Sequence, residues 1–350
     1  MAKIWFFNPD NDVALAADPR ARFTPPAAAL ELRRSGALLP MWWAAEGDEV
    51  LVESDAALAG ARELQRRFDL KGRAVRRSEG GCEASPWGWS ATSALILTEA
   101  GAVGVPSAGT IALLREISHR RMSIALARAM GSPEDIVARE CRTEAEAFDA
   151  IEVLGGRGIV KQPWSSSGRG VMAADEMSRD KLKAVIGGTL RRQGSIMVEP
   201  HLRREADFAA LFYSDGLMTR WRGVSVFSTD GAGTYCGNAV APQSELMRRI
   251  PVDIAAAVAG AERYLTAEVA PHYRGWMGID MLAYRDGSDR LRLDPCVELN
   301  LRMTMGVAAM LLHEKGLQGI LRVKAAPAGP DDVNLSPVDG ARFAIVVSPE

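Results

Sequence analysis

The sequence predicts a mixed α/β protein. Three observations lead there: short apolar runs bounded by turn residues, helical stretches between them, and two polar-faced strands joined by a turn in the last third of the chain. Length and composition agree, since 350 residues that are 47% hydrophobic and 25% charged are enough for two or three packed layers with sizeable cores.

Residues 4–7 read as a short buried strand, which Asn8-Pro9-Asp10-Asn11-Asp12 stops before an alanine-rich helical stretch at 13–18. Strand signals at 50–52 and 103–106 alternate with helical signals at 57–68 and 91–100, which predicts a parallel sheet covered by helices. Residues 111–130 read as one long helix. A strand at 136–142 follows, then a helix opened by Thr143 with Glu146 completing a capping box and Gly155-Gly156 ending it. Strands at 158–161 and 171–174 flank a loop at 165–170, a helix covers 178–193, and a strand at 196–199 closes this unit. Beyond it come strands near 208–213 and 218–227, a helix from about 252 to 267, the two polar-faced strands, a helix starting near Met303, and a tail at 327–337 leading into an apolar strand at 343–347.

Composition also excludes partners. A formal net charge of −2 and a pI near 6.2 leave no overall positive field for nucleic acid or an anionic membrane, so small molecules are the expected partners. The apolar start ends at Asn8, too short for a signal peptide, and no stretch is long enough to span a bilayer, so a cytoplasmic location is expected. Cys82, Cys141, Cys236 and Cys296 show no paired spacing and read as reduced structural thiols. His272 and His313 lack a serine or cysteine in triad context.

Two constellations carry chemistry. In the first, a strand delivers Lys161 and the loop Trp164-Ser165-Ser166-Ser167-Gly168-Arg169-Gly170 follows. A lysine offers a point charge to inner phosphates, while small residues let backbone N–H groups approach outer ones, and the loop can close as a lid. It is neither GxxxxGK[ST] nor GxGxxG. In the second, period two over residues 291–302 places Asp294, Cys296, Glu298, Asn300 and Arg302 on one face and Leu293, Val297, Leu299 and Leu301 on the other. The turn-rich residues 285–289 fold the preceding strand back as a hairpin, which puts Asp280 beside Glu298. Asp and Asn are poor strand formers, and two carboxylates with an amide oxygen are the hard donors magnesium prefers when phosphate and water complete its shell.

In this order, Lys161 with its Ser-Gly-Arg-Gly loop, the strand end Met197-Val198-Glu199-Pro200, Asp280, and Glu298-x-Asn300-x-Arg302 resemble the ATP-grasp superfamily over residues 115–315. The match is to the nucleotide-binding half of carboxylate-amine ligases such as D-alanine:D-alanine ligase, glutathione synthetase and biotin carboxylase. The resemblance implies a fold of α/β and α+β parts: an N-terminal open α/β domain over 1–114, two α+β subdomains over 115–198 and 199–325 that clamp ATP, and a C-terminal linker and strand over 326–350. It implies that Lys161 meets the α- and β-phosphates, with Ser165, Ser166, Ser167, Gly168, Arg169 and Gly170 around the outer ones. Glu199 and the backbone at His201 and Leu202 meet adenine, and Asp207, rather than Glu205, holds the ribose. Asp280, Glu298 and Asn300 become the ligands of Mg²⁺, with Mn²⁺ an acceptable substitute, and Arg302 stabilises charge on the transferring phosphoryl group. The family usually places a lysine at the start of the helix before the first of these strands, where this chain offers His119-Arg120-Arg121. Spacing selects Arg120, which keeps the charge and changes the geometry.

The implied activity is a Mg-ATP-dependent ligase joining a carboxylic acid to a nucleophile, an amine by preference, through an acyl phosphate. A nucleotide-binding regulatory module without chemistry is the rival, and a small-molecule kinase the weaker one. Oligomeric state is left open. The stretches Asn8 to Asp12 and Pro86-Trp87-Gly88-Trp89-Ser90 have no assigned chemistry, and either can face the cleft.

Overall fold

The computed structural model describes residues 1–17, 23–165, 170–229 and 235–350, arranged around three sheets. The first comprises β1 (Lys3–Phe6), β2 (Glu49–Leu51), β3 (Arg73–Val75) and β4 (Glu83–Pro86), all parallel in the order β3-β2-β1-β4. Because the order reverses at β1, the carboxyl ends of β1 and β4 open side by side into one crevice, the place where open α/β sheets hold their ligands. Residues 103–106 do not form the expected strand, and only Val103 makes an isolated parallel bridge, to Glu83.

The second sheet comprises β5 (Arg139–Cys141), β6 (Gly158–Lys161), β7 (Val171–Ala173) and β8 (Ile196–Pro200) in the antiparallel order β5-β8-β6-β7. The helices Glu144–Val153 and Arg179–Gln193 bury Ala147, Ile151, Leu182 and Ile186 against it. β6 and β7 pair as antiparallel neighbours, and the Gln162 N–H donates to the Gly170 carbonyl at 3.0 Å beside them.

The third sheet comprises β9 (Arg203–Asp215), β10 (Thr219–Thr229), β11 (Tyr235–Val240), β12 (Arg274–Arg285), β13 (Leu291–Asn300), β14 (Gly319–Ala325), β15 (Val333–Asn334) and β16 (Phe343–Ser348), in the order β13-β12-β9-β10-β11-β14-β16-β15. Alternation along β9 sends Phe208, Ala210 and Phe212 into a core shared with the helices Ala108–Ile117, Arg121–Ala129 and Ala255–Glu268. The opposite face carries Asp207, Ala209 and Leu211. Ala209 and Leu211 join a second core with the helix Met305–Glu314 and the first sheet. No helix of the described residues is long and apolar enough to cross a membrane.

Two departures from the sequence reading shape the site. The expected single helix over 111–130 is broken into Ala108–Ile117 and Arg121–Ala129. At the break the Arg120 N–H donates to the Pro163 carbonyl at 3.2 Å instead of to a helical carbonyl, and the Arg121 N–H donates to His119 Nδ1 at 3.0 Å. The strict alternation along β13 also fails. Asp280 pairs with Glu298 and Leu282 with Asp294, so Pro295, Cys296 and Val297 stand opposite Met281 alone. Pro295 has no N–H to give the ladder, and the Cys296 N–H goes to the Asp294 carboxylate at 3.2 Å, which is the local chemistry of a bulge. Cys296 therefore joins the core beside Leu299 and Leu301, and Val297 turns to the cleft.

Candidate active site

The second and third sheets face each other across a cleft of about 260 Å³. From the second sheet come Lys161, at the end of β6, and Ser165, beyond it. The helix break supplies Arg120, and the third sheet supplies Asp207, Asp280, Glu298 and Asn300, with Arg302 just past β13. Eight residues singled out in the sequence thus line one cavity. Ser166, Ser167, Gly168 and Arg169 lie outside the described residues.

Arg120 is buried, and its planar head reaches three partners. Nε donates to the Gln162 carbonyl at 2.9 Å, and Nη2 donates to Ser165 Oγ at 3.0 Å and pairs with Glu298 Oε1 at 2.9 Å. A lysine has no fork with which to span such a set. Lys161, also buried, forms an ion pair with Glu199.

Glu199 lines a smaller adjoining cavity together with Lys161, Asp294 and Val297. Asp294 was not singled out as a site residue, although its place four residues before Glu298 on a polar strand was a usable signal. Burial, and then the neighbouring Glu199, push its carboxyl up to about 6.

Asp280 and Glu298 face each other as a register pair on β12 and β13. Burial first, and Glu298 second, push the Asp280 carboxyl up to about 7. The Asn300 amide nitrogen donates to Asp280 Oδ2 at 3.1 Å, and its oxygen accepts from Arg302 Nη2 at 2.8 Å. Two crowded, half-buried carboxylates with a fixed amide oxygen are hard donors short of positive charge, which fits a divalent cation. Among the described residues no group of three or more His, Cys, Asp or Glu side chains stands ready to hold a metal, so the set suits a cation that also takes phosphate and water oxygens.

Asp207 accepts from Thr229 Oγ1 at 2.8 Å and from Arg204 at 3.4 Å. His201 and Leu202 line neither cavity. The His201 N–H is already given to the Arg157 carbonyl at 3.2 Å, and Leu202 packs with Ile136, Leu282 and Tyr284. Gly170, whose φ of 79° favours glycine, sits just before β7.

The whole chain superposes on known structures. Biotin carboxylase from Campylobacter jejuni, crystallised as its β-γ-ATP complex, matches with a TM-score of 0.56 and 12% identity, covering 99% of this chain and 86% of that one. N5-carboxyaminoimidazole ribonucleotide synthetase from Thermus thermophilus matches with a TM-score of 0.52 and 13% identity over 99% and 93%. N5-carboxyaminoimidazole synthetase from Staphylococcus aureus matches with a TM-score of 0.50 and 10% identity, again over 99% and 93%. The fold is ATP-grasp. No family model matches the sequence, and neither does any curated protein. In ATP-grasp terms the cleft lies between the two α+β halves, with the open α/β sheet abutting the third sheet through the core that holds Phe7, Trp87, Met303 and Val307.

Proposed function

We propose that the chain is a Mg-ATP-dependent ligase that activates a carboxylic acid as an acyl phosphate and transfers the acyl group to a nucleophile, an amine by preference. One observation carries this: Arg120 and Lys161 line a single cleft together with Asp280, Glu298, Asn300 and Arg302. Cations for a polyphosphate and hard oxygen donors for its metal are thereby placed within one nucleotide's reach. The shared fold with a biotin carboxylase that binds β-γ-ATP adds support.

On this reading residues 115–198 and 199–325 are the two halves of the clamp. Lys161, Arg120 and the loop from Ser165 through Ser166, Ser167, Gly168 and Arg169 to Gly170 hold the phosphates. Glu199 and the backbone at His201 and Leu202 meet adenine, and Asp207 meets the ribose. Because the His201 N–H is already used, its contribution there comes from the carbonyl side. Asp280, Glu298 and Asn300 would hold Mg²⁺, or Mn²⁺, which when bound screens phosphate charge and polarises the breaking P–O bond.

Phosphate oxygens would replace Glu298 on Arg120, which leaves the Glu298 carboxylate free to help hold a cation. A substrate carboxylate oxygen then attacks the γ-phosphorus in line, the bond to the β–γ bridging oxygen breaks, and ADP leaves. The nucleophile attacks the acyl carbon and phosphate departs with one former carboxylate oxygen. Arg302 supplies positive charge where the transferring group becomes most negative. No protein nucleophile is required.

The test is Mg²⁺-dependent ATP consumption across a panel of carboxylic acids and amines, scored separately for ADP and AMP, with Glu298→Gln as control. Acid-dependent ADP release that disappears in the variant supports the ligase. Mg-ATP binding without turnover anywhere in the panel points to a regulatory module instead.

A further inference from the structure

Two segments without assigned chemistry, Asn8 to Asp12 and Pro86 to Ser90, reach Arg302 and its neighbour Met303. They follow β1 and β4, whose carboxyl ends share the crevice of the parallel sheet. Asn8 clasps Gly88 reciprocally: its Nδ2 donates to the Gly88 carbonyl at 2.9 Å, and its Oδ1 accepts from the Gly88 N–H at 3.3 Å. From this clasp the two segments reach across to the third sheet. The Trp87 carbonyl accepts from the Met303 N–H at 2.8 Å. Asp12 takes the Arg302 guanidinium edge-on, with Nε at 3.0 and 2.9 Å from its two oxygens and Nη2 at 2.7 Å.

The remaining edge of Arg302 is almost fully committed. Nη2 also donates to Asn300 Oδ1 at 2.8 Å, and Nη1 donates to the Met303 carbonyl at 3.1 Å. One Nη1 hydrogen is left without an acceptor among the described residues, on a side chain that lines the cleft. Asp12 itself borders a small cavity with Ser165, Glu298 and Asn300, so the pair stands at the phosphate end of the site. A free arginine loses rotamer entropy when it is ordered, and small misplacements of a charge-stabilising group are costly in rate. Holding the side chain in advance removes both costs.

We propose that Asp12 is a positioning residue for Arg302, presenting its one uncommitted N–H to the transferring phosphoryl group, and that the Asn8–Gly88 clasp holds Asp12 in place. This rests on the Mg-ATP reading of the cleft. It explains a contact between residues at opposite ends of the chain that nucleotide binding alone does not require.

The experiment compares affinities for Mg-ADP and for Mg-ADP with fluoroaluminate, a mimic of the transferring group, in wild type, Asp12→Ala, Asp12→Asn and Arg302→Ala. Wild type is expected to bind the fluoroaluminate complex at least about tenfold more tightly than Mg-ADP, the scale of one well-placed donor to a developing anion. Asp12→Ala loses that advantage to within about threefold while keeping Mg-ADP affinity, and adding Asp12→Ala to Arg302→Ala removes no further advantage, as expected for residues acting as a unit. Asp12→Asn, nearly isosteric, keeps the fold and still loses most of the advantage. The proposal is overturned if both Asp12 variants keep the advantage, or if they weaken Mg-ADP and the fluoroaluminate complex equally. It is also overturned if wild type gains nothing from fluoroaluminate. Wild type that fails to bind Mg-ADP at all sinks the Mg-ATP reading itself.

Discussion

Asp280 and Glu298 stand opposite each other on paired antiparallel strands, and Arg120 reaches Glu298 from the break between two helices at 2.9 Å. The pair therefore rests with one carboxyl crowded by its neighbour and the other neutralised by a borrowed cation. This arrangement makes the protein's response to nucleotide depend on Glu298.

Glu298→Gln keeps an acceptor for Arg120 and removes the charge that, after burial, raises the Asp280 carboxyl. The variant is expected to melt within a few degrees of wild type without ligand, yet to lose the upward shift that Mg-ADP gives wild type. Its turnover should fall by about 2–4 kcal/mol of transition-state stabilisation. A variant with the full Mg-ADP shift would remove Glu298 from the metal set.

Arg120→Ala leaves Glu298 without its cation beside a half-buried Asp280. Urea unfolding should show a loss of about 1–3 kcal/mol, the scale for leaving a partly buried polar group without its partner. Arg120→Lys keeps the charge and cannot bridge Gln162, Ser165 and Glu298 together. It should therefore retain Mg-ADP binding and recover only part of the stability; full recovery would show the fork to be dispensable.

His119 is buried against Trp164, and burial, then the Arg121 charge, lower its pKa to about 4. The folded protein holds it neutral, while the unfolded chain takes up a proton near the ordinary value of about 6.5. Its contribution is thus present above about pH 6.5 and is lost as pH falls towards 4, with an upper limit near 3 kcal/mol. Between pH 7 and 4.5, wild type should lose about 2 kcal/mol more stability than His119→Gln in urea titrations. Equal losses would mean that other groups dominate acid lability.

A methyl group added at Gly88 would meet the Asn11 side chain at 2.5 Å. Gly88→Ala should cost about 1–3 kcal/mol through overpacking, read from urea midpoints. An unchanged midpoint would show that the junction of the two N-terminal segments yields easily.

Much of the site was legible because its residues break local rules. Asp280 and Glu298 are polar groups inside strands and Asn300 ends one, and the turn at 285–289 dictates the hairpin that pairs them. Lys161 ends a strand just before a segment rich in serine and glycine. The contact of Asp12 with Arg302 was not legible, because no local pattern joins residues at opposite ends of a chain. The break before Arg120 was hidden for a related reason: helical periodicity continues through it, and the interruption comes from a tertiary hydrogen bond to Pro163. β3 and β4 were missed because Arg-Ala-Val and Glu-Ala-Ser-Pro offer little strand propensity and are held by their parallel neighbours. The exchange of Cys296 and Val297 could have been foreseen from Pro295, since a proline inside a strand marks a bulge.

The most direct test of the ligase account follows oxygen. With the acid found in the panel labelled with oxygen-18 in its carboxylate, the account predicts that each turnover delivers one labelled oxygen to inorganic phosphate. Label appearing in AMP, or phosphate released without label, would contradict the acyl-phosphate route.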